Sequence, residues 1–301
     1  MEEQAKTHSG FVALIGASNA GKSTLLNQLV GTKVSIVTHK VQTTRALIRG
    51  IVVQNHTQIV FVDTPGIFEP KRRLDSAMVS TAWGGARDAD LVLVLIDAQS
   101  GLGEQNQRII DGLAPIKHRK ILILNKVDRV KRPTLLQLSA ELNERAEFER
   151  TFMISALTGS GCVDLLNFVS SALPEGPWYY PEDQISDLPM RQLAAEITRE
   201  KLFLRLHDEL PYSSTVETER WEERKDGSVK IDQVIYVERN SQKKIVLGKS
   251  GETIKAIGQA ARKELCEILE QTVHLFLFVK VRETWSNDPE RFREMGLEFS
   301  K

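Results

Sequence analysis

Residues 16–23, Gly16-Ala17-Ser18-Asn19-Ala20-Gly21-Lys22-Ser23, fit the phosphate-cradling pattern G-x-x-x-x-G-K-[ST] without a gap. The pattern constrains the fold because it works as a turn from a buried strand into a helix. The apolar run 11–15 has strand character, and residues 24–30 read as the start of a helix. Glycine lets the backbone wrap a phosphate with its N–H groups, and the helix N-terminus adds partial positive charge. Lys22 can reach the outer phosphates and the Ser23 hydroxyl can hold Mg2+. Gly16 through Ser23, closed by Thr24, form the candidate phosphate-binding set.

The base is addressed further along. Asn125-Lys126-Val127-Asp128 follows the apolar run 121–124, at a strand end, where open α/β sheets bind ligands. A carboxylate at Asp128 can accept from both N1–H and the exocyclic amine of guanine. Adenine lacks that donor pair, so the group selects GTP or GDP over ATP. Asn125 and Lys126 brace the pocket, and Ser155-Ala156 is expected to place backbone N–H groups on guanine O6. This reading opposes a phosphotransferase that uses ATP.

Asp63-Thr64-Pro65-Gly66 ends the run 58–62. Asp63 is placed to act on Mg2+ through a water, and Gly66 can bring its N–H to the γ-phosphate. Gln42-Thr43-Thr44-Arg45 lies in the polar stretch between helix and next strand. A Thr hydroxyl there, Thr44 rather than Thr43, would complete the Mg2+ shell and order the loop while the γ-phosphate is present. Ile67 follows Gly66 and cannot hydrogen-bond a water, so the attacking water needs another guide.

These five motifs, in this order, resemble those of the translation-factor-related GTPases. The spellings Gln42-Thr43-Thr44-Arg45 and Asp63-Thr64-Pro65-Gly66-Ile67 are similar to the Era branch of bacterial GTPases, which shares the apolar residue at 67. Some GTPases of this kind use an Asn at the place of Asn19 to bind K+, against the plainer reading that Asn19 merely suits the loop.

The Pro/Gly-rich stretch 173–181 reads as a linker, with Trp178 and Tyr179 pinning it to the domain it leaves. Helical periodicity follows over 191–210, with Leu193, Ile197, Leu202, Leu206 and Leu210 inward. Strands are expected at 213–222 and 229–237 around the turn 225–228, a helix near 260–269, a strand at 273–281 and a short helix at 288–295. This order, with Gly248-Lys249-Ser250-Gly251 between the middle helices, resembles a type II KH domain, which clamps single-stranded RNA with such a loop. Lys249 and Ser250 suit phosphate contact. Arg239, Lys243, Lys244, Lys255, Arg262 and Lys263 make the neighbourhood basic. The plainer reading is a small α/β module that docks on protein.

The expectation is an α/β P-loop GTPase domain with a mostly parallel sheet over residues 1–176, a linker over 177–190, and an α+β type II KH domain over 191–301. The resemblance implies a GTPase switch that binds the 3′ end region of 16S ribosomal RNA and assists maturation of the 30S subunit. It also implies a cytoplasmic monomer with peripheral contact at the inner membrane. The rival is a GTP-binding adaptor that recruits protein without reading RNA.

Composition narrows little else. Forty Lys and Arg balance forty Asp and Glu, so any basic patch is local. Cys162 and Cys266 match no metal spacing and read as thiols in a reducing compartment. The polar start of the chain is not a signal peptide, and no apolar run is long enough to span a bilayer.

Overall fold

A computed structural model describes residues 6–299, which divide into two compact units. One takes the chain up to Asp187 together with the terminal stretch from Met295; the other is Leu188–Glu294.

The first unit is built on a six-stranded sheet. Its strands are β1 (His8–Gly16), β2 (Ile48–Gln54), β3 (Thr57–Asp63), β4 (Leu91–Asp97), β5 (Arg119–Asn125) and β6 (Arg150–Met153), in the order β2-β3-β1-β4-β5-β6. Only β2 runs antiparallel to its neighbour; every other pair is parallel. Parallel strands covered on both faces read as continuous apolar runs, as Val12-Ala13-Leu14-Ile15 does. Val12 and Leu14 face α1 (Lys22–Val30) and α5 (Cys162–Ala172) through Leu25, Leu26, Leu165 and Val169. Ala13 and Ile15 face α2 (Arg73–Asp88), α3 (Glu104–Gly112) and α4 (Arg132–Arg145) through Ala82, Ile109 and Leu138. Each fully buried Leu or Ile contributes about 1.5–3 kcal/mol.

Strand order reverses at β1, between β3 and β4. At such a switch point the loops diverge and leave a crevice beyond the carboxyl ends.

Residues 177–187 pack with this unit. Gln58 Oε1 accepts the N–H groups of Tyr179 and Tyr180, and the Tyr179 ring lies 4.8 Å from that of Phe11. Ile51 N donates to Ile185 O, which covers the exposed edge of β2. Near the C-terminus Leu297 is buried, and the Arg73 guanidinium lies 4.9 Å over the Phe299 ring.

The second unit runs α6 (Met190–Arg205), β7 (Ser214–Glu223), β8 (Val229–Val237), α7 (Asn240–Leu247), α8 (Glu252–Leu269), β9 (Val273–Val281) and α9 (Pro289–Glu294). β7 is antiparallel and β9 parallel to the central β8. Leu202 and Phe203 of α6 and Ile257 of α8 pack with Ile235 and Val237.

Two helix bounds differ from the sequence expectation. The expected helix over 191–210 stops at Arg205, and Asp208 turns the chain with φ 53°. Leu206 and Leu210 stay buried beyond the break, which is why the periodicity runs past it. The helix expected near 260–269 begins at Glu252, because left-handed Gly251 (φ 79°) lets it start directly after the loop. Ile257, Ala261 and Leu265 are its buried stripe.

Candidate active site

The carboxyl ends of β1, β3, β4 and β5 deliver Gly16, Asp63, Asp97 and Asn125 to one end of the sheet. A cleft of about 540 Å³ opens there. Its lining includes Ser18, Asn19, Gly21, Lys22, Ser23, Thr24, Gln42, Thr43, Thr44, Gly66, Asn125, Lys126, Asp128, Ser155 and Ala156, so residues from all five motifs meet in it.

The phosphate loop is held from several sides. Gly21 is left-handed at φ 99°, and a Cβ there would fall 2.2 Å from Asn125 Nδ2. That amide donates to Ala20 O at 2.8 Å. Asn125 Oδ1 accepts Lys126 N at 2.8 Å and Ala156 N at 2.9 Å, so one side chain ties three motifs together. Lys22 Nζ is buried and donates to Gly16 O and Ala17 O at 3.2 and 3.0 Å. Burial pushes its ammonium down to about 8, opposed by the charge of Asp63. A phosphate anion beside Lys22 would offset that cost.

Asp63 is fully buried, and desolvation raises its pKa against the pull of Lys22 and three hydroxyls. Its Oδ2 accepts Ser23 Oγ at 2.6 Å, Ser35 Oγ at 2.9 Å and Thr44 Oγ1 at 3.4 Å. Oδ1 has no hydrogen-bond partner among the described residues. Ser23 Oγ also lies 2.9 Å from Thr44 Oγ1. A buried carboxylate with an unmatched oxygen, gathered with two hydroxyls, is a set of hard oxygen donors that fits Mg2+. Thr43 points elsewhere, with its hydroxyl on Lys40 O and Thr38 Oγ1.

The neighbouring segments are anchored. Thr64 Oγ1 donates to Leu14 O at 2.7 Å. Gln42 Nε2 donates to Asp75 Oδ1 of α2 at 3.1 Å, Arg45 is buried, and Asn19 Nδ2 donates to His39 O at 2.8 Å. Ile67 N donates to Gly16 O at 3.0 Å, while its side chain packs into the core beside Ala13 and Ile15. Position 67 therefore offers the cleft no side chain. Pro65 leads into this turn between Thr64 and Gly66.

At the base end, Val127–Arg129 forms a 3-10 turn that carries Asp128. The exposed Arg129 guanidinium is 3.7 Å from Asp128. Lys126 is pinned by Asp97 at 2.6 Å. The N–H groups of Ser155 and Ala156 are engaged by Ser160 O and Asn125 Oδ1. In this structure they brace the pocket instead of both facing a base. The sequence reading missed Asp97 and Ser35; for Asp97 the signal was its place at the end of β4, matching Asp63 and Asn125.

In the second unit Gly248-Lys249-Ser250-Gly251 turns from α7 into α8, with Lys249 and Ser250 exposed. Gly248 has φ 75°, and a Cβ there would meet Thr253 Oγ1 at 2.2 Å. Beside α8 lies a groove of about 410 Å³, lined by Lys255, Gln259, Arg262 and Phe276 among others. Gly258 also lines it, and a Cβ there would make ordinary contact with Leu277 Cδ1 at 3.4 Å. Phe276 and Phe278 stand exposed on β9 and were not singled out from the sequence. Burial pushes the Cys162 thiol up to about 11, which favours its protonated form, and the Cys266 sulfur accepts Val273 N. Among the described residues no helix is long and apolar enough to cross a membrane.

Comparison with known proteins agrees with this geometry. Residues 11–126 match the family described as 50S ribosome-binding GTPase, and residues 209–286 match the KH domain. The GTPase Era of Brucella suis biovar 1 (strain 1330) is 73% identical over 297 residues, covering 99% of this chain and 96% of that protein. That of Sinorhizobium medicae (strain WSM419) is 72% identical over 98% of this chain and 95% of its own length. Among solved structures, an Aquifex aeolicus Era variant bound to GDP and AlF4− has a TM-score of 0.91 at 39% identity, covering 96% of this chain and 99% of that one. Era in complex with MgGDPNP and nucleotides 1506–1542 of 16S ribosomal RNA gives the same TM-score, identity and coverage. At this identity over its whole length, the chain belongs to the Era family of GTPases, a P-loop GTP-hydrolysing domain followed by a KH domain.

Proposed function

We propose that the protein is a GTP-operated switch that binds the 3′ end region of 16S ribosomal RNA and assists assembly of the 30S subunit. The observation that carries the reading is the convergence of Lys22, Asn125 and Asp128 on one cleft, with the buried Asp63 bonded to Ser23 behind its wall. The similar structure that holds both MgGDPNP and the RNA 3′ end supports joining the two activities. The exposed Gly248–Gly251 loop and the basic, aromatic-edged groove beside α8 supply the RNA side.

In this reading the backbone of residues 16–24 and Lys22 hold the phosphates, and Asp128 holds guanine within a pocket braced by Asn125, Lys126, Ser155 and Ala156. Ser23 and Thr44, with Asp63 through a water, would hold Mg2+. When bound, the ion would neutralise charge on the phosphates. Gly66 offers its N–H to the γ-phosphate, and the two segments Gln42-Thr43-Thr44-Arg45 and Asp63-Thr64-Pro65-Gly66-Ile67 respond to its presence. Lys22 stabilises the charge that spreads over the γ-phosphoryl group, and no covalent enzyme intermediate is needed.

Since Ile67 lies in the core, no side chain at that position orients the attacking water. Intrinsic turnover is therefore slow and rises when a partner completes the site. GTP turnover measured with and without 30S subunits should show stimulation of at least about tenfold, the scale of one added transition-state contact. A fast rate that ignores the subunits would contradict the reading.

Asn19 already holds the 38–44 segment over the phosphate loop through His39 O, and we propose it as a K+ ligand. The rate in KCl should exceed that in NaCl at equal ionic strength by about tenfold, as a cation beside the γ-phosphate would produce. Equal rates would remove K+ from the account. We propose further that the protein is a cytoplasmic monomer that meets the inner membrane peripherally.

A further inference from the structure

We infer that the Ser18 hydroxyl is a ligand of the γ-phosphate and helps this chain tell GTP from GDP. Ser18 Oγ is buried and has no hydrogen-bond partner among the described residues. Such a group costs about 1–3 kcal/mol unless a partner arrives. The residue lines the nucleotide cleft together with Lys22, Thr44 and Gly66, and rotation about its χ1 turns the Oγ from Gly66 toward the cleft.

Its position in the loop decides which phosphate it meets. The loop enters α1 at Lys22, so its last amides serve the inner phosphates at the helix N-terminus. Ser18 stands at the other end of the loop, against Gly66. A Cβ on Gly66 would fall 2.6 Å from Ser18 Oγ and 2.9 Å from Ser18 Cα. The same seam is closed by Ile67 N on Gly16 O at 3.0 Å and by the parallel bridge between Ala17 and Ile67. The hydroxyl thus sits where the phosphate loop touches the segment assigned to the γ-phosphate. A γ-phosphate oxygen is an acceptor that GTP brings to this seam and GDP does not. The contact strengthens as negative charge builds on those oxygens during transfer, so the hydroxyl acts on turnover as well as on affinity. Ile67 points into the core, which leaves Ser18 among the few side chains the seam can offer the reacting group.

The inference rests on the GTPase reading, and one experiment separates the two. Affinities of the full chain for GDP and for a non-hydrolysable GTP analogue, at fixed Mg2+, are measured for wild type, Ser18→Ala and Ser18→Cys. The Cys variant keeps the size of the side chain but donates poorly. Both variants should bind the analogue about tenfold more weakly, the worth of one charge-assisted hydrogen bond, and GDP within about twofold of wild type. Single-turnover hydrolysis at saturating GTP should also fall by at least about tenfold. An unchanged analogue-to-GDP ratio would overturn the inference. So would an equal loss of both ligands in both variants, which would mark Ser18 as part of the loop's scaffold. A wild type that prefers ATP to GTP would instead strike the GTPase reading itself.

Discussion

Asp128→Asn should lower GTP affinity by about 10³–10⁴-fold, as expected when a buried polar contact to a base is mispaired, and should create affinity for xanthosine triphosphate. Guanine presents two donors, N1–H and the exocyclic amine, and a carboxylate accepts both. An Asn amide offers one acceptor and one donor, so a donor meets a donor. Xanthine carries a carbonyl where guanine carries the amine and restores the match. The fold should survive, because the neighbour of Asp128 is the exposed Arg129 at 3.7 Å, and such a pair contributes about 0–1 kcal/mol. Competition of GTP, xanthosine triphosphate and ATP against a labelled guanine nucleotide checks this. Unchanged GTP affinity would remove Asp128 from the base pocket.

The double variant Lys249→Asp with Ser250→Asp should lose at least about 100-fold in affinity for single-stranded RNA at low salt. A cation is removed and two anions are set against the sugar-phosphate chain. Both side chains are exposed, the positive φ values of Gly248 and Gly251 are untouched, and Asp tolerates the left-handed backbone that Ser250 adopts at φ 52°. Thermal unfolding and GDP affinity should match wild type and serve as the folding controls. RNA affinity within about threefold of wild type would favour the adaptor reading, since the loss of charged contacts cannot be that mild.

The nucleotide cleft was largely legible because its chemistry lies in contiguous motifs at strand ends. Gly16 through Ser23, Asp63 and Asn125 each announce a strand end by a polar residue after an apolar run. Asp97 ends β4 in the same way, yet its partner Lys126 lies on the next strand's loop, and only the parallel register of β4 with β5 brings them together. Ser35 is a lone Ser between the buried Val34 and Ile36, and its bond to Asp63 is a tertiary fact. That Ile67 cannot guide a water is legible in the sequence, but the backbone bond to Gly16 that goes with its place in the core is not. Leu206 and Leu210 extended a helical period through a chain that had already turned at Asp208. Phe276 and Phe278 alternate with inward residues of an edge strand, so exposure and not pattern marks them.

The central claim is that nucleotide and RNA binding are coupled in one chain. The direct test is affinity for a short RNA matching the 3′ end of 16S ribosomal RNA, measured with GDP and with a non-hydrolysable GTP analogue. The account predicts tighter binding with the analogue by about fivefold or more, the lower range of coupling between two sites. Equal affinity in the two nucleotide states would leave a GTPase and an RNA-binding module side by side and would contradict the switch.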